Sequence, residues 1–343
     1  MKNLIIGLTP VRLSFAGGGT DMPEFYENHG GSVIATTIDH FTYTIIHPRF
    51  DKSFQAFSPD FQKYYTASKY DKIEIQDGTE IASAVIKYFK FKKGVNVILS
   101  SDVPAGSGLG ASSSLAVNLV NVISHMKGEH LSKTEIAEKA FHIGRKILHW
   151  PIGKQDEYVS SFGGFNAVKF SKEKVSVQPI NLSKSTLIEL QNNLLLFREG
   201  NTRNSSTILT TQIDMIKKKN PDTLTSLLTV KDLAFDMHKS LKQSDITKFG
   251  ELLHQGWLAK KKFAKNVSNS RIDKIYDIAL KNGAIGGKIT GAGGGGHMLF
   301  YCEKSYQKKL EKKLQTLGLS PVKFSFYKNS SKILETSDMM NLK

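Results

Sequence analysis

The stretch that decides the fold reads Pro104-Ala105-Gly106-Ser107-Gly108-Leu109-Gly110-Ala111-Ser112-Ser113-Ser114. A strand-like run at 95–99 leads into it. Apolar residues at helical spacing follow it, at Leu115, Leu119, Val122, Ile123 and Met126. Glycine lets backbone N–H groups approach an anion closely because it has no Cβ, and a helix start adds unpaired donors and a positive dipole end. Serines in the first turn can cap the helix, bind phosphate or ligate a metal. The stretch therefore predicts a phosphate-binding loop between a strand and a helix.

This loop differs from three common glycine motifs. A Walker loop would end in Gly-Lys-Ser or Gly-Lys-Thr. A dinucleotide fingerprint would need G-x-G-x-x-G with an acidic residue about 20 positions later, which Glu129 meets only weakly. A hydrolase elbow would need a glycine two positions to either side of a serine. A strand-to-helix turn that binds nothing stays an alternative, but it would not require the three serines.

The length and composition favour a two-domain globular protein. A chain of 343 residues exceeds what one core comfortably holds, and a change in composition near 183–191 predicts domains at 1–187 and 188–343. The single cysteine, Cys302, excludes disulfides within the chain, and no apolar run approaches the roughly 20 residues of a membrane helix. We therefore expect a cytoplasmic protein without a membrane partner.

The formal net charge of +16 raises the question of an anionic partner. The lysines are scattered, and the small clusters at 217–219 and 260–262 carry no interleaved aromatic residues. Solvated helix faces are the simpler interpretation of both clusters, with attraction of phosphorylated small molecules as a secondary effect. A basic RNA-binding protein without catalysis is the alternative.

Alternating patterns predict most of the secondary structure. β-branched and aromatic runs predict strands at 32–38 and 41–46, separated by Asp39-His40, and a strand pair at 165–170 and 175–179. Helical spacing predicts helices at 81–91 and 133–148, a further helix from Lys154, and an almost wholly helical region at 205–279. This mixture predicts an α+β fold.

Three further segments carry polar residues beside glycines. The first runs from Arg12 to Asp21 through Gly17-Gly18-Gly19-Thr20, where arginine can neutralise a phosphoryl group and aspartate can bind sugar hydroxyls. The second, Gly153-Lys154-Gln155-Asp156, places a carboxylate at a helix start, where a capping role is the commoner use. The third spans 286–298 and is either a mobile turn or backbone packed against another loop or a ligand. No H-E-x-x-H motif or thiolate zinc site is present in the sequence.

The four segments together resemble the kinase family of galactokinase, homoserine kinase, mevalonate kinase and phosphomevalonate kinase. They occur in the family's order, at 10–21, 104–115, 153–164 and 286–298. The first and third are most similar to kinases that use ATP to phosphorylate the anomeric hydroxyl of a sugar phosphate. The resemblance implies a fold whose N-terminal half is like domain 2 of ribosomal protein S5 and whose C-terminal half is ferredoxin-like, with the active site between them.

The resemblance also implies a role for each motif residue. Asp156 and Arg12 match the catalytic pair, and Ser112 matches the hydroxyl that ligates Mg²⁺. The residues implied to bind the ATP phosphates are Pro104, Ala105, Gly106, Ser107, Gly108, Leu109, Gly110, Ala111, Ser112 and Ser113. The residues expected to bind the substrate are Arg12, Gly18, Gly19, Thr20, Asp21, Lys154, Asp156 and Arg203, of which Lys154 and Arg203, like Arg198, are candidates by charge alone. The expected partners are ATP and a small sugar phosphate, not nucleic acid, with the protein a monomer or homodimer.

Two positions depart from the family pattern. Gly18-Gly19 stands where galactokinase has Glu-His, which makes galactose itself an unfavourable substrate and leaves room for a bulkier sugar. Gly144 stands twelve residues before Asp156, where the family usually has a glutamate that helps to hold Mg²⁺. Either another carboxylate or water completes the metal shell, or the protein is a weak or regulatory kinase. A kinase for fucose or a uronic acid is the nearest alternative within the fold.

Overall fold

The strands form two sheets, joined by helices. The structure is a computed structural model that describes residues 4–200 and 205–336. Its strands are β1 (Ile5–Ala16), β2 (Gly31–Pro48), β3 (Phe54–Ser58), β4 (Lys63–Ala67), β5 (Val95–Ser101), β6 (Phe165–Phe170), β7 (Val175–Pro179), β8 (Leu194–Arg198), β9 (Ala284–Ile289), β10 (His297–Cys302), β11 (Ser320–Val322) and β12 (Lys332–Glu335). Its α-helices are α1 (Pro23–His29), α2 (Glu80–Tyr88), α3 (Ala111–Met126), α4 (Lys133–His142), α5 (Gln155–Phe162), α6 (Lys184–Asn193), α7 (Ser205–Lys217), α8 (Pro221–Lys242), α9 (Ile246–Lys260), α10 (Ser270–Lys281) and α11 (Lys304–Thr316).

The larger sheet has the order β12-β1-β2-β5-β3-β4, with β6 paired to β2 and β7 to β6. Its long strand β2 pairs with β6 through its first half and with β5 through its second half. Helices α3 and α5 pack on β1 and β2. This packing brings the start of each helix, and the motif residues there, to the same side of β1.

The two strands expected at 32–38 and 41–46 are one continuous strand, so that division was wrong. The sequence break at Asp39-His40 is instead a bulge, because Arg12 pairs with Thr37 while Pro10 pairs with Phe41. The extra residues gain partners from the C-terminal part of the chain, where the backbone N–H of Asp39 donates to the Ser325 carbonyl at 3.0 Å. The bulge therefore lies beside Arg12, and the C-terminal part of the chain supplies hydrogen bonds to it.

The smaller sheet has the order β11-β8-β10-β9, and all of its pairs are antiparallel. In chain order this is 4-1-3-2, the order of a ferredoxin-like sheet. The helices α7 to α10 connect its first two strands, and α11 connects its last two. The predicted α+β fold with a ferredoxin-like C-terminal half is confirmed.

The last strand, β12, does not stay with the smaller sheet. It pairs with β1 at the edge of the larger sheet, with Ile5 opposite Glu335.

The proposed division at residues 187 and 188 falls inside α6 and stays a prediction. Within the described ranges, no helix combines the length and the apolar character that crossing a bilayer requires.

A shared apolar core holds the two sheets together. Phe15 of β1 stacks on Phe165 with ring centroids 5.2 Å apart and meets Phe249 of α9 edge-on at 5.1 Å. Residues of β8 and β10 belong to the same cluster. Because burial of apolar area is non-directional and scales with area, this core fixes the C-terminal helices against the end of β1. The motif residues lie along that junction.

Candidate active site

The predicted phosphate loop lies between β5 and α3, with the helix beginning immediately after Gly110. Gly110 is the N-cap residue and has φ +78°, a left-handed conformation that suits glycine. A Cβ there would lie 3.0 Å from Asp156 Oδ2 and 3.3 Å from Arg12 Cζ. The loop therefore presents the free N–H groups of a long helix to a space bordered by an arginine and an aspartate.

The second glycine loop, at 286–298, packs directly against the first, as one of its two interpretations required. A Cβ on Gly108 would lie 2.6 Å from the Thr290 carbonyl oxygen, so the two backbones touch. His297 Nδ1 lies 2.9 Å from the carbonyl oxygen of Ser107, and Thr290 Oγ1 donates to the same oxygen at 3.2 Å. These contacts hold the phosphate loop in place from the C-terminal half.

Arg12 and Asp156 form a two-pronged ion pair at the centre of the site. Arg12 Nε donates to Asp156 Oδ1 at 2.6 Å, and Arg12 Nη2 donates to Asp156 Oδ2. The third donor, Nη1, bonds the carbonyl oxygen of Gly108 at 2.6 Å. Gln155 Nε2 also donates to Asp156 Oδ1 at 2.9 Å, and Ser14 Oγ holds Gln155 Oε1. Arg12 thus links the carboxylate to the phosphate loop with the fixed geometry that a guanidinium provides.

Asp21 lies beside this pair at the start of α5. Its Oδ1 accepts the Gly19 N–H at 2.8 Å, and its Oδ2 accepts the Gln155 N–H at 3.1 Å. Burial raises the pKa of Asp21, the charge of Asp156 raises it further, and the backbone N–H groups oppose both effects. Thr20 is fully buried and donates to the Gly17 carbonyl at 2.8 Å, so it shapes the turn.

Two adjoining cavities meet at the Arg12–Asp156 pair. The loop cavity is bordered by the phosphate loop from Gly106 onward, by Trp150 and by Ser205. The aspartate cavity is bordered by Asp21, Gly18-Gly19 and residues of α7, α9 and β9. Among the residues that the structure describes, six line both: Arg12, Ile152, Asp156, Leu209, Gly291 and Ala292. A group passing from one cavity to the other therefore meets Arg12 and Asp156.

Most of the predicted site residues converge here, with some exceptions. Leu109 is buried in the core, and its carbonyl oxygen accepts the backbone N–H of Arg12 at 2.9 Å. Pro104 and Ala105 line a small neighbouring pocket together with Arg198. Lys154 lines neither cavity, because its ammonium bonds Glu138 at 2.6 Å and lies over the ring of Phe141. Arg203 lies outside the described residues.

Among the lining residues that the sequence reasoning missed, four carry a charge or an amide. Lys288 and Gln212 line the aspartate cavity, and Glu80 lines the loop cavity. The interpretation of 260–262 as a solvated face was wrong for Lys260, which is buried and donates to the Gly291 carbonyl. Lys288 could have been predicted from the sequence, because it lies within the last glycine segment. The other three residues lie on helices outside the four motif segments.

The donors present fit a magnesium ion without a glutamate at position 144. Mg²⁺ is usually held by one or two carboxylates, with phosphate and water oxygens completing its octahedron. The exposed hydroxyl of Ser112 and the carboxylate of Glu80 line the same cavity, and Glu80 Oε2 is buried with no hydrogen-bond partner among the described residues. A Cβ on Gly144 would lie 2.8 Å from Ile152 Cδ1 and 3.2 Å from Trp150 Cε3, so this position is filled by neighbours.

A glycine loop on a helix N-terminus beside an arginine–aspartate pair suits phosphoryl transfer between two bound molecules, which needs positioning and charge neutralisation. Two protein-family models that match this chain agree with phosphoryl transfer as its chemistry. The GHMP kinases N terminal domain matches residues 79–164, and the GHMP kinases C terminal model matches residues 237–318. This chain belongs to the GHMP kinase family, whose members use ATP as phosphate donor.

Full-length relatives support the same conclusion. D-glycero-alpha-D-manno-heptose 7-phosphate kinase of Campylobacter jejuni is 32% identical over 94% of this chain and 97% of its own length. A putative sugar kinase structure from Campylobacter jejuni shares 29% identity and a TM-score of 0.77 over 97% of this chain and 98% of its own. The structure of a D-glycero-D-manno-heptose 1-phosphate kinase from Bacteroides thetaiotaomicron has a TM-score of 0.80 at 24% identity, covering 96% of this chain and 98% of its own, and bears on the fold alone.

Proposed function

We propose that this enzyme is a sugar-phosphate kinase that uses ATP and Mg²⁺ to phosphorylate the anomeric hydroxyl of D-glycero-D-manno-heptose 7-phosphate. The product would be the 1,7-bisphosphate, on a route to GDP-heptose and a surface polysaccharide such as capsule or lipopolysaccharide. At the coarser level, the protein is a sugar kinase, as its full-length relatives are named. The observation that carries the proposal is the Arg12–Asp156 pair at the meeting point of the two cavities.

The loop cavity would hold the ATP phosphates. The N–H groups at the start of α3 and the glycine backbone at 106–110 are suited to bind phosphate oxygens. Ser112 and Glu80 would hold Mg²⁺, which when bound neutralises charge on the phosphates. Leu209 and Ala292 line both cavities beside Arg12 and Asp156. This arrangement would direct the γ-phosphoryl group toward Arg12.

The aspartate cavity would hold the acceptor sugar. Asp156 would accept a hydrogen bond from the attacking hydroxyl and take its proton as the new bond forms. Arg12 would neutralise charge on the transferring group, while its bonds to Asp156 and Gly108 hold it in place. Asp21, fixed by two backbone N–H groups, would accept hydrogen bonds from other sugar hydroxyls.

The direct test is an acceptor panel with ATP and Mg²⁺, with products identified by mass spectrometry. The panel contains heptose 7-phosphate, the unphosphorylated heptose, fucose, a uronic acid and galactose. We expect heptose 7-phosphate to give the highest kcat/KM and a product with phosphate on C1. Preferential turnover of fucose or the uronic acid would replace the heptose assignment, and turnover of none would contradict a sugar kinase of this kind.

A further inference from the structure

The aspartate cavity is lined by two carboxylates, those of Asp21 and Asp156, and by three cationic side chains. Besides Arg12, its lining includes the lysines Lys260 and Lys288. Both lysine side chains are buried, at 7% and 5% exposure, although lysine is almost never fully buried unless it is paired. Lys260 donates to the Gly291 carbonyl oxygen, so the question of a charged partner concerns Lys288.

The partner of Lys288 is not a carboxylate of this protein. Its Nζ donates to the Phe15 carbonyl oxygen at 3.1 Å, and no salt bridge joins Lys288 to a described acidic residue. Burial, with Lys260 and Arg12 nearby, lowers the pKa of Lys288 well below its ordinary value. An anion placed among these groups would reverse that effect, because an opposite charge favours the charged form of lysine.

A neutral donor faces the same space. Gln212 of α7 is 2% exposed, and its Nε2 has no hydrogen-bond partner among the described residues. A buried amide without a partner costs free energy that a ligand oxygen would recover. Three donors thus meet in the aspartate cavity from three elements of the C-terminal half: Gln212 from α7, Lys260 from α9 and Lys288 from β9.

The position of these donors separates them from the nucleotide. Neither lysine lines the loop cavity, whereas Arg12 and Gly291 line both cavities. In the proposed function, Arg12 and the start of α3 would be the positive partners of the transferring phosphoryl group. The two lysines are therefore placed to meet an anion on the acceptor molecule.

We infer that Lys260, Lys288 and Gln212 form a subsite for a phosphate ester carried by the acceptor, so that the enzyme selects sugar phosphates over neutral sugars. The inference rests on the proposed function and adds to it the residues that recognise the acceptor's phosphate. Ammonium groups suit this role because each is a compact charge with three donors.

The test is calorimetric titration of the full-length enzyme with its loop cavity filled by a non-hydrolysable ATP analogue and Mg²⁺. The titrants are heptose 7-phosphate, the parent heptose, inorganic phosphate and galacturonate. The variants are Lys260→Met and Lys288→Met, with Lys262→Met as the matched control, because Lys262 is exposed two residues beyond Lys260. Thermal unfolding of each variant confirms that it folds.

We expect Lys260→Met and Lys288→Met each to weaken heptose 7-phosphate binding by about 10- to 100-fold, because each removes one charge-assisted hydrogen bond to the phosphate. Binding of the parent heptose and of the ATP analogue should change by less than about threefold. Equal losses for both heptoses, or a loss for the ATP analogue instead, would overturn the subsite. So would binding of galacturonate in preference to the phosphates.

The failure of this inference is distinct from failure of the proposed function. If the enzyme turns over no heptose but binds inorganic phosphate in a manner that depends on Lys260 and Lys288, the subsite stands and the heptose assignment falls. If heptose 7-phosphate is turned over equally well by both lysine variants, the assignment stands and the subsite falls.

Discussion

Replacing the Asp156 carboxylate with an amide, as Asp156→Asn, tests the centre of the site. An amide has nearly the same shape, but its NH₂ group faces an Arg12 donor where a carboxylate oxygen now accepts. It is also far too weak a base to take a proton from a sugar hydroxyl. Since a positioned general base contributes about 10²- to 10⁴-fold to rate, we expect kcat to fall about 10³-fold.

The same substitution should leave the nucleotide site nearly intact. Arg12 keeps its bond to the Gly108 carbonyl, and the phosphate loop keeps its contacts with Thr290 and His297. The KM for ATP should therefore stay within about threefold. One of the two Arg12 bonds to Asp156 is lost from a largely buried pair, so the free energy of unfolding should fall by about 1 to 3 kcal/mol.

A matched control separates catalysis from stability. Glu24→Gln makes the same carboxylate-to-amide change in another largely buried arginine pair, Glu24–Arg145, whose acid lines neither cavity. The control should lose similar stability yet keep kcat near the wild-type value. The assays are steady-state ADP release, single-turnover product formation and denaturant unfolding. A kcat for Asp156→Asn within tenfold of wild type, or an equal loss in the control, would refute the assigned role.

Three further substitutions test the metal site and a buried acid. Glu80→Gln should raise the Mg²⁺ concentration for half-maximal activity about tenfold, because the metal site loses one of its few carboxylates. Mn²⁺ binding, followed by electron paramagnetic resonance, should weaken as well. Unchanged Mn²⁺ binding would exclude Glu80 as a ligand. Gly144→Glu should give no gain in metal affinity and cost about 1 to 3 kcal/mol of stability, because the position is filled by Ile152 and Trp150; a tighter metal site would contradict this. Burial, together with the charge of Asp156, raises the pKa of Glu157 to about 8, so the folded protein keeps a proton that the unfolded chain releases, and stability falls as pH rises from about 4.5 to 8. Glu157→Gln should remove up to about 1.4 kcal/mol per pH unit of that slope in denaturant unfolding curves, and identical slopes would disprove it.

Local pattern was enough for most of the secondary structure and for the motif residues. The helix after the phosphate loop, the strand pair at 165–170 and 175–179 and the helical C-terminal region follow from short-range periodicity. The pattern failed where partners distant in sequence decide the outcome. Asp39-His40 does not end the strand, because the segment around Ser325 supplies hydrogen bonds to the bulge there.

Charge alone was the weakest guide to the site. Lys154 has the expected sign and lies beside Asp156 in sequence, but Glu138 on α4 takes its ammonium. Lys260 belongs to a run of lysines that looks like a solvated surface, yet α9 turns this one residue inward toward Gly291. Net charge cannot distinguish these outcomes, because each depends on which element packs against the side chain.

By itself the sequence determined the glycine loop and the helix that follows it. It also determined the four segments, and their order, that contain the predicted site residues. These features depend on backbone freedom and on spacing, which are local properties. Only the tertiary structure decided that Arg12 binds Asp156 across 144 positions in the chain and that Glu80 shares a cavity with Ser112. It also decided that two lysines of the C-terminal half line the same cavity as Asp21. The physical reason is that packing between distant elements sets which charges meet. Helices α3 and α5 pack on β1 within the N-terminal half, and the apolar core around Phe15 places the C-terminal helices against the end of β1.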